Sequence, residues 1–209
     1  MLKNGMILNL LKGLLICLAL LSKEVTAETG QSVDNIELQA LYDQDQRART
    51  PNASTSDVAT TDLDRRLAVF QMLAVGDINS ATDKFRAARI LHHTSNTYCG
   101  WPVLPKTKTN CSRSPENYFL AHKLALEALS MGQEEARPLV PRTIDRYLAF
   151  TEGHQKYGTV IVRNHETGQF MLPYIDRDTT DSERANYGIR PLAETLKKYK
   201  EMPAPDRAK

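Results

Sequence analysis

The sequence predicts a mainly α-helical domain, in which antiparallel helical hairpins (about five helices) are followed by a β-hairpin and a C-terminal helix. Three observations predict this order. Apolar residues recur at helical spacing in five segments between residues 33 and 150. The spacing changes to that of β-strands from Gly158, where β-branched residues dominate. Helical spacing returns after Pro191 and continues to about residue 202.

The first five helices are expected at residues 33–49, 62–75, 78–93, 115–131 and 134–150. Residues 50–61 have the composition of a loop. The second helix is expected to bury one face, which carries Leu63, Leu67, Phe70 and Ala74. Pro138 and Pro141 make the start of the fifth helix uncertain or kinked.

The β-hairpin is expected to pair residues 158–163 with residues 169–175 across a short turn that contains Gly168. Pro173 places the second strand at an edge, because proline has no N–H to donate. Residues 145–159 join the helical part of the chain to this hairpin. A functional site, if there is one, is therefore expected beside this joint.

The first 27 residues have the order of a signal peptide. A basic segment with Lys3 and Lys12 precedes the apolar run Gly13–Leu21, and small side chains follow near Ala27. The mature chain is then one domain, residues 28–202, with a frayed tail at 203–209, and it is periplasmic or secreted with no membrane contact after cleavage. The alternative is an uncleaved segment that anchors the protein in the inner membrane.

Cys99 and Cys111 remain after the leader is removed, and an exported chain with two close cysteines predicts a disulfide. In the chain-entropy model a loop of this size stabilises the fold by roughly 3 kcal/mol. A metal site is not expected, because the pair lacks CxxC spacing.

The charge of the chain disfavours nucleic acid as a partner. The formal net charge is +2, and the leader holds three of the 27 basic residues and one of the 25 acidic residues. The mature chain is therefore close to neutral and has no strong field to gather phosphates along a surface.

Short strings in a characteristic order run along the chain, and the most specific of them is Gln155–Thr159, QKYGT, after the Asp145–Arg146 helix. The others are Asp43–Arg47, Ala88–His93, Tyr118–His122, Ile144–Leu148, Leu172–Asp176 and Gly188–Leu192, together with Arg184. This set resembles the bacterial family known as domain of unknown function 6624, over Ile36–Leu196. The resemblance implies a mostly helical domain and no established activity, and the Cys99–Cys111 loop looks like an insertion relative to it.

His92 and His122 are the first candidates for a site, since each lies on the apolar face of a helix that is expected to pair with the other. One interpretation is a buried neutral imidazole with one hydrogen bond. The other is a general acid or base, joined by an acid from elsewhere. His93 is expected to be solvated. Neither HExxH nor another metal-ligand spacing is present, so we expect no metal and no cofactor.

Two further groups of residues complete the candidates. Asp45 could pair with His92 or His122, and Arg47 could hold a carboxylate or phosphate with its planar fork. Asp145 could serve as an acid or could cap the turn at Gln155–Tyr157. Gln155 and Tyr157 could bind a ligand at the mouth of a pocket between helices and hairpin, or Tyr157 could be a core aromatic residue.

The function expected from these observations is a non-catalytic helical module that binds an unknown protein or small molecule. The alternative is a hydrolase-type enzyme that uses His122 or His92 with Asp45 or Asp145 as an acid-base pair, and Arg47 as an anion clamp. The sequence does not decide whether the protein is an enzyme. The enzyme interpretation requires that these side chains meet in one cleft.

Overall fold

The computed structural model describes residues 33–50, 55–93, 115–164 and 167–204, with only the backbone of residues 55–60. The predicted leader and both Cys99 and Cys111 lie outside the described residues. Within them the chain is mainly helical, with a small β region and a C-terminal helix, so the predicted fold class is confirmed.

The described part of the chain contains seven α-helices, a 3₁₀ turn at Glu134–Ala136 and five short strands. The helices are α1 (Ile36–Arg47), α2 (Thr55–Val75), α3 (Ala81–His92), α4 (Glu116–Ser130), α5 (Leu139–Thr151), α6 (Asp181–Asn186) and α7 (Leu192–Lys198). The strands are β1 (His154–Gln155), β2 (Val162–Arg163), β3 (Phe170–Leu172), β4 (Tyr174–Ile175) and β5 (Lys200–Glu201).

Side-chain caps start three of the helices. Asn35, Ser80 and Thr180 each accept a hydrogen bond from a backbone N–H of the first turn, at the start of α1, α3 and α6 respectively. The fifth helix begins after Pro138, and Pro141 lies in its first turn, where an N–H has no partner within the helix. The two prolines therefore set the start of α5.

The main core lies where α4 packs between α3 and α5. Alanines fill these crossings and allow the helices to approach closely; Ala87, Ala88, Ala121, Ala125 and Ala128 are fully buried. α1 and α2 pack against α3 from the other side. Small side chains thus line the contacts between these three helices.

The predicted loop at residues 50–61 is wrong in its second half, because α2 begins at Thr55. The predicted buried face of α2 is also wrong: Leu63 and Leu67 are 42% and 49% exposed. Only Phe70 of the predicted face packs against the core. The side chains of α2 that are buried are Asp62, Arg65, Val69 and Met72. Apolar spacing predicted the wrong face because two of the buried residues, Asp62 and Arg65, are charged.

The predicted hairpin is present as β2 and β3, which are antiparallel with Val162 opposite Met171. The single strand predicted at residues 169–175 is two strands, separated at Pro173, and β4 pairs in parallel with β1. The last helix ends at Lys198 rather than near Met202, and β5 follows it and pairs in parallel with β3. A second, small core then forms around Ala149, Val162 and Met202.

Of the helices that the structure describes, none is long and apolar enough to cross a membrane.

Candidate functional site

Asp145 projects from α5 into the joint between helices and strands, and it is completely buried. Its Oδ1 accepts hydrogen bonds from the backbone N–H groups of Lys156 (2.8 Å) and Tyr157 (2.7 Å). Its Oδ2 accepts from the backbone N–H (2.8 Å) and the hydroxyl (2.7 Å) of Thr159. Burial raises the pKa of Asp145, and these four hydrogen bonds oppose that rise. This geometry is that of a carboxylate that caps a loop.

Gln155 is also completely buried and ties the same loop to the strands. Its Nε2 donates to the carbonyl oxygens of Val160 (3.2 Å) and Pro173 (3.0 Å), and its Oε1 accepts from the N–H of Val160 (2.9 Å). Gly158 lies between them with φ of +79°, and a Cβ there would be 2.7 Å from Cδ1 of the buried Ile175. Gln155 therefore has no polar atom left for a ligand without breaking this loop.

Tyr157 is 4% exposed, and so lies in the core rather than at the mouth of a pocket. Its hydroxyl donates to Oε1 of Glu183 on α6 at 2.8 Å, and Nζ of Lys156 pairs with the same oxygen at 2.7 Å. Burial raises the pKa of the Tyr157 hydroxyl most strongly, and the hydrogen bond to Glu183 raises it further. The hydroxyl is thus a donor that joins the loop to α6.

His122 is half-buried on α4, and its Nδ1 lies 3.0 Å from the carbonyl oxygen of Val140 on α5. Burial lowers the pKa of His122, and the bond to Val140 partly opposes this. A neutral ring that donates from Nδ1 to a carbonyl fits both observations. This agrees with the interpretation of a neutral imidazole bonded to a neighbouring helix, although the ring is half-buried rather than buried and Oγ1 of Thr143 also lies 3.5 Å from Nδ1.

Asp45 pairs with His93, and neither with His92 nor with His122. Oδ2 of Asp45 lies 2.7 Å from Nδ1 of His93, whose side chain is 15% exposed. The expectation that His93 is solvated is therefore wrong. His93 follows the last residue of α3, where the chain turns toward the C-terminal end of α1, and this position could not be read from helical spacing.

Asp45 also belongs to a buried network of two carboxylates and two guanidinium groups. Nη1 of Arg49 lies 3.1 Å from Oδ1 of Asp45, but it donates its hydrogen bond to the backbone oxygen of Asp45. Nη2 of Arg49 lies 2.9 Å from both carboxylate oxygens of Asp62, and Arg65 pairs with Asp62 as well. Arg47, the predicted anion clamp, is exposed. Apolar spacing gives no signal for Arg49, Asp62 and Arg65, because charged side chains at helical spacing indicate a solvated face.

The candidates therefore do not share one cleft. Asp45 bonds to side chains at the ends of α1 and α3, His122 bonds to α5, and Asp145 bonds to the loop at 156–159. The hydrogen-bond partners of these three residues have no member in common. The arrangement that the hydrolase interpretation requires is not formed by the described residues.

His92 has a different environment, because it is buried and lacks a partner. It is 5% exposed, and its Nδ1 has no hydrogen bond. Burial lowers the pKa of His92 well below 6.5, and the charges of Arg146, His93, Arg89 and Arg142 lower it further. The ring contacts Tyr118 of α4 edge-on, with the ring centroids 6.3 Å apart. His92 is thus a neutral group in a positive field.

We call Arg89, Arg142 and Arg146 the arginine cluster. Nη1 of Arg146 donates to the backbone oxygen of His92 at 3.4 Å, and its Cζ lies 5.7 Å from the centroid of the Tyr118 ring. Arg89 is half-buried, and burial lowers the pKa of its guanidinium; Arg142 and Arg49 lower it further, whereas Tyr42 and Asp45 oppose this. Throughout the described ranges, no carboxylate lies within 4.0 Å of any of the three guanidinium groups. The sequence analysis did not single out this cluster.

Groups of three or more His, Cys, Asp or Glu side chains that could hold a metal ion do not occur in the part of the chain that the structure describes. Comparisons with protein-family models, with curated proteins and with solved structures give no match. The resemblance to the bacterial family of unknown function stays a prediction.

Proposed function

We propose that this chain is a non-catalytic binding module and that its ligand is an anion held at the arginine cluster. One observation carries the proposal: Arg146 donates to the backbone of the buried His92, Arg89 and Arg142 also act on this histidine through their charges, and no carboxylate among the described residues lies within 4.0 Å of the three guanidinium groups. Unpaired guanidinium groups attract carboxylates and phosphates and bind them with two parallel hydrogen bonds. The hydrolase alternative has no comparable support, because its acids and histidines have separate partners.

Rigid elements support this site. Arg89 and His92 lie one turn apart on α3, and Arg142 and Arg146 lie one turn apart on α5. Both helices pack against α4, whose core alanines are completely buried. A ligand would therefore meet groups that are already in place, so little ordering would oppose binding.

The proposal also includes export, with the leader at residues 1–27 removed and Cys99 bonded to Cys111. The order of charges and apolar residues in the leader supports it. Counting free thiols in the purified protein tests it, and none is expected. Two reactive thiols would contradict the disulfide.

The binding proposal is tested by calorimetric titration of the purified chain with carboxylates, phosphates and uncharged compounds of similar size. We expect binding of anions only. The double change Arg142→Gln and Arg146→Gln should weaken it by about 10- to 100-fold, since each charged hydrogen bond contributes roughly 1.5 kcal/mol or more.

Arg47→Gln is the matched control, because it removes the same charge from an exposed position on α1. It should change the affinity by less than about twofold, since exposed charges are screened. Equal losses in the control and in the double variant would contradict a local site.

A further inference from the structure

We infer that the anion is the doubly charged, tetrahedral group of a phosphate, bound by the arginine cluster with His92 as a fourth donor. This inference rests on the proposed function and names the chemical class of its ligand.

The balance of charge is the first step. Asp45 and Asp62 face Arg49 and Arg65, so that the network beside α3 contains two negative and two positive groups and is closed. The arginine cluster adds three positive charges, and no carboxylate among the described residues lies within 4.0 Å of them, although the charge of Asp45 reaches Arg89 from further away. A monocarboxylate would neutralise one of the three, whereas a phosphate dianion neutralises two. Since the site is partly buried, the charge left over is costly.

The free donors are the second step. Each guanidinium carries five N–H groups, and Arg146 uses one of them on the backbone oxygen of His92. Arg89 and Arg142 form no hydrogen bond within the described ranges. Nδ1 of His92 is one of five buried side-chain polar atoms without a hydrogen bond among the described residues, and of these five it is the one that belongs to a residue next to the arginine cluster. Such atoms are uncommon in folded proteins, and a bound ligand is one of the ordinary explanations for them.

Direction is the third step. The donors come from two helices, because Arg89 and His92 belong to α3 while Arg142 and Arg146 belong to α5. The Tyr118 ring of α4 contacts both His92 and Arg146. A carboxylate has two oxygens in one plane and suits a single fork. A phosphate presents three terminal oxygens in different directions, and it therefore suits donors from two helices.

The test is calorimetric titration at about pH 7.5, where a phosphate monoester is mostly doubly charged. The probes are inorganic phosphate, glycerol phosphate, sulfate and acetate. We expect the two phosphates and sulfate to bind at least tenfold more tightly than acetate. Tighter binding of inorganic phosphate would identify the free ion as the ligand, and tighter binding of glycerol phosphate would identify a phosphate ester.

Arg142→Gln should weaken phosphate binding by about tenfold, which corresponds to one lost charged contact. Arg142 is exposed, so this variant should fold. His92→Gln should also weaken it, and Arg47→Gln should not. Equal affinity for acetate and phosphate would overturn the dianion while leaving an anion-binding module. If no anion bound at all, the proposed function would fall together with this inference.

Discussion

A carboxylate can replace a strand as the partner of backbone N–H groups, and Asp145 does so. The loop at residues 156–159 lies between strands that are only two residues long, so few ladder bonds are available to it. Three of its backbone N–H groups donate to Asp145 instead. Because buried N–H groups without an acceptor are costly, this side chain is expected to determine the stability of the joint.

Asp145→Asn should lower the free energy of unfolding by about 2–3 kcal/mol, since an amide has only one oxygen and would turn an NH₂ group toward N–H donors. Urea denaturation of the purified protein measures this. Asp178→Asn is the control, because Asp178 is exposed in the loop between β4 and α6. This change should lower the free energy of unfolding by less than about 0.5 kcal/mol. Similar midpoints for the two variants would show that Asp145 does not cap the loop.

Helices and their order could be predicted from the sequence, whereas the inward face of α2 could not. Apolar spacing located α1, α3, α4 and α5 to within a few residues, because their core faces are made of apolar side chains. On α2 the buried face includes Asp62 and Arg65, which pair with each other and are further stabilised by Arg49 and Asp45 from another segment. A pattern within one helix contains no information about such partners.

The corrected face of α2 leads to a prediction at two positions of similar size. Met72→Ala should cost about 2–5 kcal/mol, because Met72 is buried and its loss leaves a cavity. Leu67→Ala should cost less than about 1 kcal/mol, because Leu67 is half exposed. Thermal unfolding of the two variants measures the difference. A larger loss of stability in Leu67→Ala than in Met72→Ala would show that α2 buries the face that was predicted from apolar spacing.

The same limit applies to the candidate site of the whole molecule. The sequence predicted that His92 lies on an apolar face, and it does, but its neighbours come from α5 and could not be named in advance. Asp45 was expected to pair with His92 or His122, but it pairs with His93. Arg89–His92 and Arg142–Arg146 were visible as pairs one turn apart, and only the contact between helices joins them.

Three histidines, of which His92 is buried and His93 and His122 are partly buried, make the stability of the molecule depend on pH. Burial lowers the pKa values of His92, His93 and His122 in the folded protein, and for His93 the bond to Asp45 partly opposes this. The unfolded chain takes up these protons near pH 6.5, so below that pH it binds more protons than the folded protein. Stability is therefore fully present above about pH 6.5 and falls as the pH decreases.

The expected slope is about 1.4 kcal/mol per pH unit for each histidine that stays neutral. Urea denaturation at several pH values between about 7.5 and 5 measures it, over a range where most exposed carboxylates remain ionised. His92→Gln should reduce the slope, since it removes the histidine with the strongly lowered pKa. A free energy of unfolding that is constant or rises over this range would contradict the neutral state of the buried rings.

The closed network of Asp45, Arg49, Asp62 and Arg65 also bears on how the chain folds. Pairs within each segment are joined by contacts between the segments: Arg49, just after α1, lies beside Asp45 and bonds to Asp62 of α2, and Arg65 of α2 pairs with Asp62 and lies 3.8 Å from Asp45. If only one of the two helices were buried, its ion pair would be desolvated without the contacts from the other segment, which is unfavourable. The two helices should therefore dock in one cooperative step, and hydrogen exchange should give their slowest amides a single opening free energy.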